Sequence, residues 1–198
     1  RDGILISKEK KTEEKFEYTR RPKELEAEVI RFKNNKESWV AFVGLIDEKP
    51  YEIFTGLSNE DSLLIPKSVT KGKIIKIKNA IKGKSRYDFK YTDKFGYENT
   101  LGGLSHMFNQ EYWNYAKLIS GTLRHGMPIQ KVVELVTSLQ LDNETINSWK
   151  AGVARALKKF IPDGTLADDA KCGECGSEEV VYQEGCLTCL SCGCSKCG

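Results

Sequence analysis

The chain has 198 residues, of which 39% are hydrophobic and 30% charged, and its formal net charge is +3. This length and composition suit one ordinary domain with an appendage, and they exclude a wholly disordered chain. The small basic excess does not by itself indicate a nucleic-acid-binding protein, and no apolar run approaches the roughly 18 residues of a membrane span.

The first 23 residues are rich in Lys, Arg and Glu and show no apolar periodicity. Such a segment is typical of a solvated linker or arm. The chain does not begin with methionine, so we expect a fragment of a longer protein or a processed chain.

The next part of the sequence alternates with the period of β-strands. Apolar and polar residues alternate over residues 25–29, and residues 39–46 form an apolar run rich in residues that favour strands. After a turn, residues 51–55 form a third predicted strand. Residues 72–81 and 84–92 form a second hairpin with Gly83 at its turn. We therefore predict an antiparallel sheet of about five strands.

After residue 109 the apolar period changes to that of helices. Asn109 is a candidate N-cap, Gly126 ends the first helix and Pro128 opens the second. The three apolar stripes are Tyr112, Ala116, Ile119 and Leu123; Ile129, Val132, Val133, Val136 and Leu139; and Ile146, Trp149, Val153, Leu157 and Phe160. Strands followed by about three helices predict an α+β domain over residues 24–162, with helices on one face of the sheet.

The second predicted hairpin is basic. Its lysines alternate with apolar residues, and this pattern is typical of a sheet face that is exposed to solvent. The alternative interpretation is that the lysines contact an acidic surface or nucleic acid. The lysines are Lys71, Lys73, Lys76, Lys78, Lys82 and Lys84.

All seven cysteines lie after residue 171, and none lies before it. Crowding of this kind favours a metal or redox module in a reducing, cytoplasmic compartment over a secreted disulfide scaffold. Residues 172–198 would form that module, and residues 163–171 would tether it to the α+β domain.

Two Cys-x₂-Cys-Gly loops predict a small zinc ribbon. Zinc prefers four ligands in a tetrahedron, often from two such loops. Cys172 and Cys175 form the first loop, and Cys189 and Cys192 form the best second loop. A rival second loop uses Cys186 and Cys189, so the fourth ligand is either Cys186 or Cys192.

Three thiols remain outside the preferred ligand set, namely Cys186, Cys194 and Cys197. Cys197 is next to the C-terminal residue of the sequence, where an accessible thiolate could exchange with a disulfide of another site. A purely structural zinc ribbon and a zinc ribbon that binds nucleic acid or protein are the alternatives.

Three segments resemble one known family. Residues 39–56, centred on Lys49-Pro50-Tyr51-Glu52-Ile53-Phe54, and residues 118–129 resemble the TSCPD-like C-terminal accessory domain of class II, adenosylcobalamin-dependent ribonucleotide reductases. The tail from Glu184 to Cys197 is similar to the cysteine-rich end of the same family.

The resemblance implies a part in deoxyribonucleotide synthesis for DNA replication. In that family the tail is thought to re-reduce a disulfide that each turnover leaves in the catalytic barrel, and its cysteines also hold Zn²⁺. If these roles apply to the present sequence, zinc would be bound by Cys172, Cys175, Cys189 and Cys192. Electrons would be carried by Cys197 with Cys186 or Cys194.

The same resemblance implies partners and limits. The barrel of the same or a neighbouring reductase chain would be the partner, with an external thiol as reductant and the α+β domain as docking or oligomerisation scaffold. The segment would bind no adenosylcobalamin itself, and we expect no reductase activity from it alone.

Overall fold

The computed structural model describes residues 19–58, 65–78, 85–142, 145–168 and 170–197. Residues 1–18 of the predicted arm and the predicted hairpin turn at residues 79–84 lie outside them. Within the described ranges the predicted α+β class is confirmed. The elements are β1 (Glu24–Asn34), β2 (Glu37–Ile46), β3 (Lys49–Leu57), β4 (Lys71–Lys78), β5 (Ser85–Thr92), β6 (Glu98–Leu101), α1 (Leu104–Met107), α2 (Gln110–Arg124), α3 (Ile129–Ser138), α4 (Trp149–Lys158), β7 (Val180–Gln183), β8 (Cys186–Cys189) and β9 (Ser195–Lys196).

The first six strands form one antiparallel sheet in the order β3-β2-β1-β4-β5-β6. Two-residue connections join β1 to β2 and β2 to β3, so the neighbours of these three strands follow from the chain order. β6 and α1 were not predicted, because four residues are too few to display a reliable period.

The sheet is curled, and this differs from the prediction of a sheet covered on one face. Three strands separate β3 from β5, yet the Phe54 and Tyr87 ring centroids are 4.9 Å apart. Trp113 of α2 lies 5.1 Å from Phe54 and closes the same aromatic cluster. β2 is therefore buried on both faces, with Phe42 toward this inner cluster and Ala41 toward the helices.

Local capping sets the helix boundaries. The Asn109 side chain accepts hydrogen bonds from two amides at the start of α2, as predicted. The Ser148 hydroxyl accepts one from the Ala151 amide and begins α4 at Trp149. Ile146, which the apolar spacing assigns to the third helix, is therefore outside it and 94% exposed.

Buried polar contacts and one close approach fix the helices on the sheet. Trp149 Nε1 donates to Thr55 Oγ1 at 3.0 Å, and the Ile53 amide donates to Ser120 Oγ at 3.0 Å. Gly152 faces the Phe32 ring so closely that an added Cβ would lie 1.9 Å from it. Burial of these polar groups is tolerated because each has a partner.

The end of the predicted arm is bound to the domain. Glu52 on β3 is fully buried and accepts hydrogen bonds from Arg21 at 2.9 and 2.5 Å and from Arg124 of α2 at 2.8 Å. Tyr51 Oη donates to the Thr19 carbonyl at 2.9 Å. This Glu52 clamp, formed by Arg21, Glu52 and Arg124, joins the arm, the sheet and α2.

None of the helices in the described ranges has the length and hydropathy that a membrane span needs.

Candidate metal centre and thiol pair

The cysteine-rich end forms a second, three-stranded antiparallel sheet in the order β7-β8-β9. Glu184 and Gly185 connect β7 to β8, and both have positive φ. This two-residue turn fits the right-handed twist of the flanking strands. We call residues 172–197 the ribbon.

The ribbon lies against the α+β domain. The Ala167 amide donates to the Val180 carbonyl at 2.9 Å, and the Tyr182 amide donates to the Thr165 carbonyl at 2.8 Å. Tyr182 is 8% exposed and belongs to the cluster that the helices form on the sheet. The segment predicted as a tether thus runs beside β7, and the Tyr182 ring anchors the ribbon to the domain.

Four thiols meet at one end of the ribbon. Cys172 and Cys175 precede β7, and Cys189 and Cys192 lie at and just after the end of β8; all four Sγ atoms lie within 4.8 Å of one another. The Cys172–Cys192 and Cys175–Cys189 Sγ distances are both 3.6 Å. A tetrahedral ion with metal–sulfur bonds of about 2.3 Å needs sulfurs about 3.8 Å apart.

The two loops that carry these thiols have the same backbone turn. The Gly176 amide donates to the Cys172 carbonyl and the Gly193 amide donates to the Cys189 carbonyl, both at 2.9 Å. Both glycines have φ near 74°, a left-handed conformation that glycine adopts without a steric penalty. The repeated Cys-x₂-Cys-Gly pattern therefore encodes a pair of matching loops.

The thiols of the cluster influence one another electrostatically. The Cys175 amide and the Cys194 thiol lower the pKa of Cys172 to about 6. The Cys192 amide is the main cause of a lowered pKa at Cys189. Contact with Cys172 raises the pKa of Cys194 to about 12. Accumulated negative charge makes each further thiolate costly, and a divalent cation would offset that cost.

The donor set therefore fits zinc. Four soft sulfur ligands near tetrahedral spacing favour Zn²⁺ over hard cations such as Mg²⁺ or Ca²⁺. Four cysteines of this chain could hold a metal ion, and Cys192 rather than Cys186 is the fourth member of the group.

Cys186 and Cys197 form a disulfide instead. β8 pairs with β9 so that Leu187 faces Lys196 and Thr188 faces Ser195. The next pair in this register is Cys186 and Cys197, and their Cα atoms are 4.4 Å apart, the usual distance for one class of facing antiparallel residues. The ladder thus brings the two sulfurs into bonding range.

The third surplus thiol is in a different place. Cys194 Sγ lies 3.1 Å from Cys172 Sγ, at the metal cluster. Sequence reasoning could not separate Cys194 from Cys186 as the partner of Cys197. The register of β8 and β9 could not be inferred from the sequence, because strands of four and two residues carry too little pattern to fix it.

The basic hairpin is partly neutralised by acidic neighbours. Lys73 forms an ion pair with Glu26 at 3.2 Å, and Lys90 forms one with Glu98 at 2.8 Å. Lys82 and Lys84 lie outside the described residues. The described face therefore carries both signs of charge.

Comparison with known proteins identifies the family. The family model for the NrdJ homologue C-terminal domain matches residues 25–162, which is most of the chain. No curated protein and no solved structure matches the chain. The chain therefore belongs to the family of NrdJ homologue C-terminal domains, and it is a C-terminal region related to the class II ribonucleotide reductase NrdJ.

Proposed function

We propose that this chain is the C-terminal part of a class II ribonucleotide reductase and that its ribbon re-reduces the active-site disulfide of the catalytic barrel. The observation that carries the proposal is the cross-strand pair Cys186–Cys197 in a chain of this family. The pair can alternate between dithiol and disulfide with little backbone movement, because the strand register holds both residues opposite each other.

The exposure of the two cysteines assigns their roles in the exchange. Cys197 is exposed and Cys186 is half-buried, so Cys197 is the thiol that can reach a foreign disulfide. Its thiolate attacks one active-site sulfur, forms a mixed disulfide and releases the other active-site sulfur as a thiolate. Cys186 then attacks Cys197, which restores the second active-site thiol.

The electrons and protons balance over this cycle. The active-site disulfide gains two electrons and two protons, and Cys186 and Cys197 lose the same number as they form their disulfide. An external dithiol must then reduce the ribbon pair before the next turnover.

Zinc has a structural role in this proposal. Cys172, Cys175, Cys189 and Cys192 would hold the ion and fix the loop before β7 to the loop that connects β8 and β9. The ion supplies charge compensation for the thiolates, and the exchange itself takes place at Cys186 and Cys197.

The α+β domain serves as the docking or oligomerisation scaffold in the proposal. Tyr182 and the 164–167 segment hold the ribbon on the helices, so a contact between the domain and a barrel would also bring the thiol pair near it. The barrel of the same or a neighbouring chain is the partner, and adenosylcobalamin and the nucleotide bind there. The proposed location is the cytoplasm, where thiols stay reduced.

The test uses a class II reductase catalytic barrel whose own cysteine tail has been removed. The assay contains an external dithiol that by itself reduces the barrel only slowly. Adding the reduced chain is expected to restore multiple-turnover formation of deoxyribonucleotides. The chain alone is expected to form none. Cys197→Ser and Cys186→Ser should each abolish the restoration, while Ser195→Ala on β9 should keep it.

A trapping experiment separates the two roles. Cys186→Ser should accumulate a mixed disulfide through Cys197, and Cys197→Ser should accumulate none, as seen by mass mapping of alkylated peptides. If both variants restore turnover as well as the parent chain, the exchange role is refuted.

A further inference from the structure

We propose that Cys194 and Cys192 share one coordination position of the metal centre, so that the site has a reserve ligand. This inference rests on the metal-binding part of the proposed function and assigns Cys194 to the metal rather than to the exchange pair. It adds Cys194 as an alternative to Cys192, so that four of five thiols would bind the ion at any one time.

The first observation is the position of the Cys194 sulfur. It lies 3.1 Å from Cys172 Sγ, closer than the 3.6 Å that separates Cys172 Sγ from Cys192 Sγ. Cys192 and Cys194 therefore both lie beside Cys172, with Cys194 just outside the four Sγ atoms that lie within 4.8 Å of one another. Only one of them can join Cys172, Cys175 and Cys189 in a tetrahedral set.

The second observation is the backbone that holds Cys194 there. The Cys189 amide donates to the Cys194 carbonyl at 2.9 Å, which closes the second loop over residues 189–194. Gly193, with φ of +74°, lies between the two competing cysteines and turns the chain. The position of Cys194 is thus tied to the backbone of a ligand, Cys189, and does not depend on the end of the chain.

The third observation is the difference in exposure within the pair. Cys192 is exposed, whereas Cys194 is half-buried. An exposed thiolate ligand is the one that oxidants and alkylating agents reach first. With Cys194 beside it, loss of Cys192 leaves four thiols at the ion.

The exchange of the two ligands is balanced. Cys192 would leave the ion and take up a proton, while Cys194 would give up its proton and bind as a thiolate. The number of thiolates and the charge of the site stay the same, so no oxidant or reductant is required. The first loop has no such reserve, since residues 173–178 contain Cys175 alone.

The experiment is a zinc count in a chain with both exchange thiols replaced, Cys186→Ser/Cys197→Ser, so that neither can act as a substitute ligand. In this background we expect Cys192→Ser and Cys194→Ser each to retain one zinc per chain. The combination of both should weaken zinc binding by more than about tenfold. Mutating a residue that only hydrogen-bonds to a metal ligand already lowers metal affinity by about that factor. Circular dichroism checks that each variant keeps its secondary structure.

Cobalt substitution supplies a second readout that reports the ligands directly. The sulfur-to-cobalt charge-transfer band should keep its intensity in each single variant and fall in the combination. Cys175→Ser, the control in the other loop, should lose intensity and zinc affinity.

The outcomes are distinguishable. If Cys192→Ser alone loses as much zinc and band intensity as the combination, the shared position is overturned while a zinc ribbon remains. The same holds if Cys175→Ser keeps as much zinc and band intensity as Cys192→Ser. If only Cys194→Ser loses zinc, Cys194 is a fixed ligand and sharing is again overturned. If the background chain itself binds no zinc, the metal part of the proposed function fails.

Discussion

Neutralising Glu52 should destabilise the protein strongly, because its carboxylate is the buried centre of the Glu52 clamp. The side chain is fully buried, and the side chains of Arg21 and Arg124 are only 6% and 24% exposed. Glu52→Gln keeps the volume but removes the charge and presents amide hydrogens to guanidinium donors. Breaking a buried ion pair on one side costs about 3–5 kcal/mol. We expect about 3 kcal/mol, because partly exposed Arg124 can regain water.

The assay is urea unfolding at saturating zinc and constant ionic strength. With a slope of about 2 kcal/mol per molar urea, the midpoint should fall by about 1.5 M. Glu26→Gln is the matched control, since it breaks the ion pair with Lys73, whose side chains are 71% and 48% exposed. Exposed pairs contribute about 0–1 kcal/mol. A loss at Glu52 no larger than that of the control would refute the clamp as a source of stability.

Four further predictions follow from the packing. Gly152→Ala should lower the free energy of unfolding by more than about 1 kcal/mol, because its Cβ would lie 1.9 Å from the Phe32 ring; Gly121→Ala, with open space in α2, should raise it by up to about 1 kcal/mol. Urea unfolding of the pair tests both, and equal effects would contradict the first. Ser148→Ala should cost about 1 kcal/mol by the same measurement, since it removes the N-cap of α4; no change would contradict the cap. Tyr182→Ala should speed hydrogen exchange at the Gly164 and Ala167 amides, which donate to ribbon carbonyls, by releasing the ribbon; unchanged protection there would show that the ring is not the anchor. Removal of zinc with a chelator should speed exchange in the ribbon while the six-stranded sheet stays protected; loss of protection in both would show that the sheet depends on the metal.

Much of the fold is visible in local patterns. The strands of the sheet and the stripes of the three long helices follow from periods of 2 and 3.6 over ten or so residues. Asn109 was identifiable as an N-cap because an asparagine side chain can satisfy the amides that follow it. The four-residue elements β6 and α1 were missed, since a segment that short has no measurable period.

Long-range contacts account for the remaining differences. Arg21 looks like any residue of a charged arm, yet its guanidinium is buried because Glu52 lies across from it in the folded sheet. Ile146 has helical spacing to Trp149, but the Ser148 cap begins α4 after it and leaves it exposed. The curl that brings Phe54 to Tyr87 depends on sheet closure over several strands.

The sequence by itself determined the chemistry of the candidate site, because four thiols on two Cys-x₂-Cys-Gly loops suit zinc in any fold that brings the loops together. It also determined the chain order of the long strands and helices, since those periods are local. Only the tertiary structure decided which cysteines lie together. The β8–β9 register pairs Cys186 with Cys197, leaves Cys192 to the metal group and holds Cys194 beside Cys172. Register is a relation between strands, and a one-residue shift would exchange every facing pair, so composition and spacing along one chain cannot fix it.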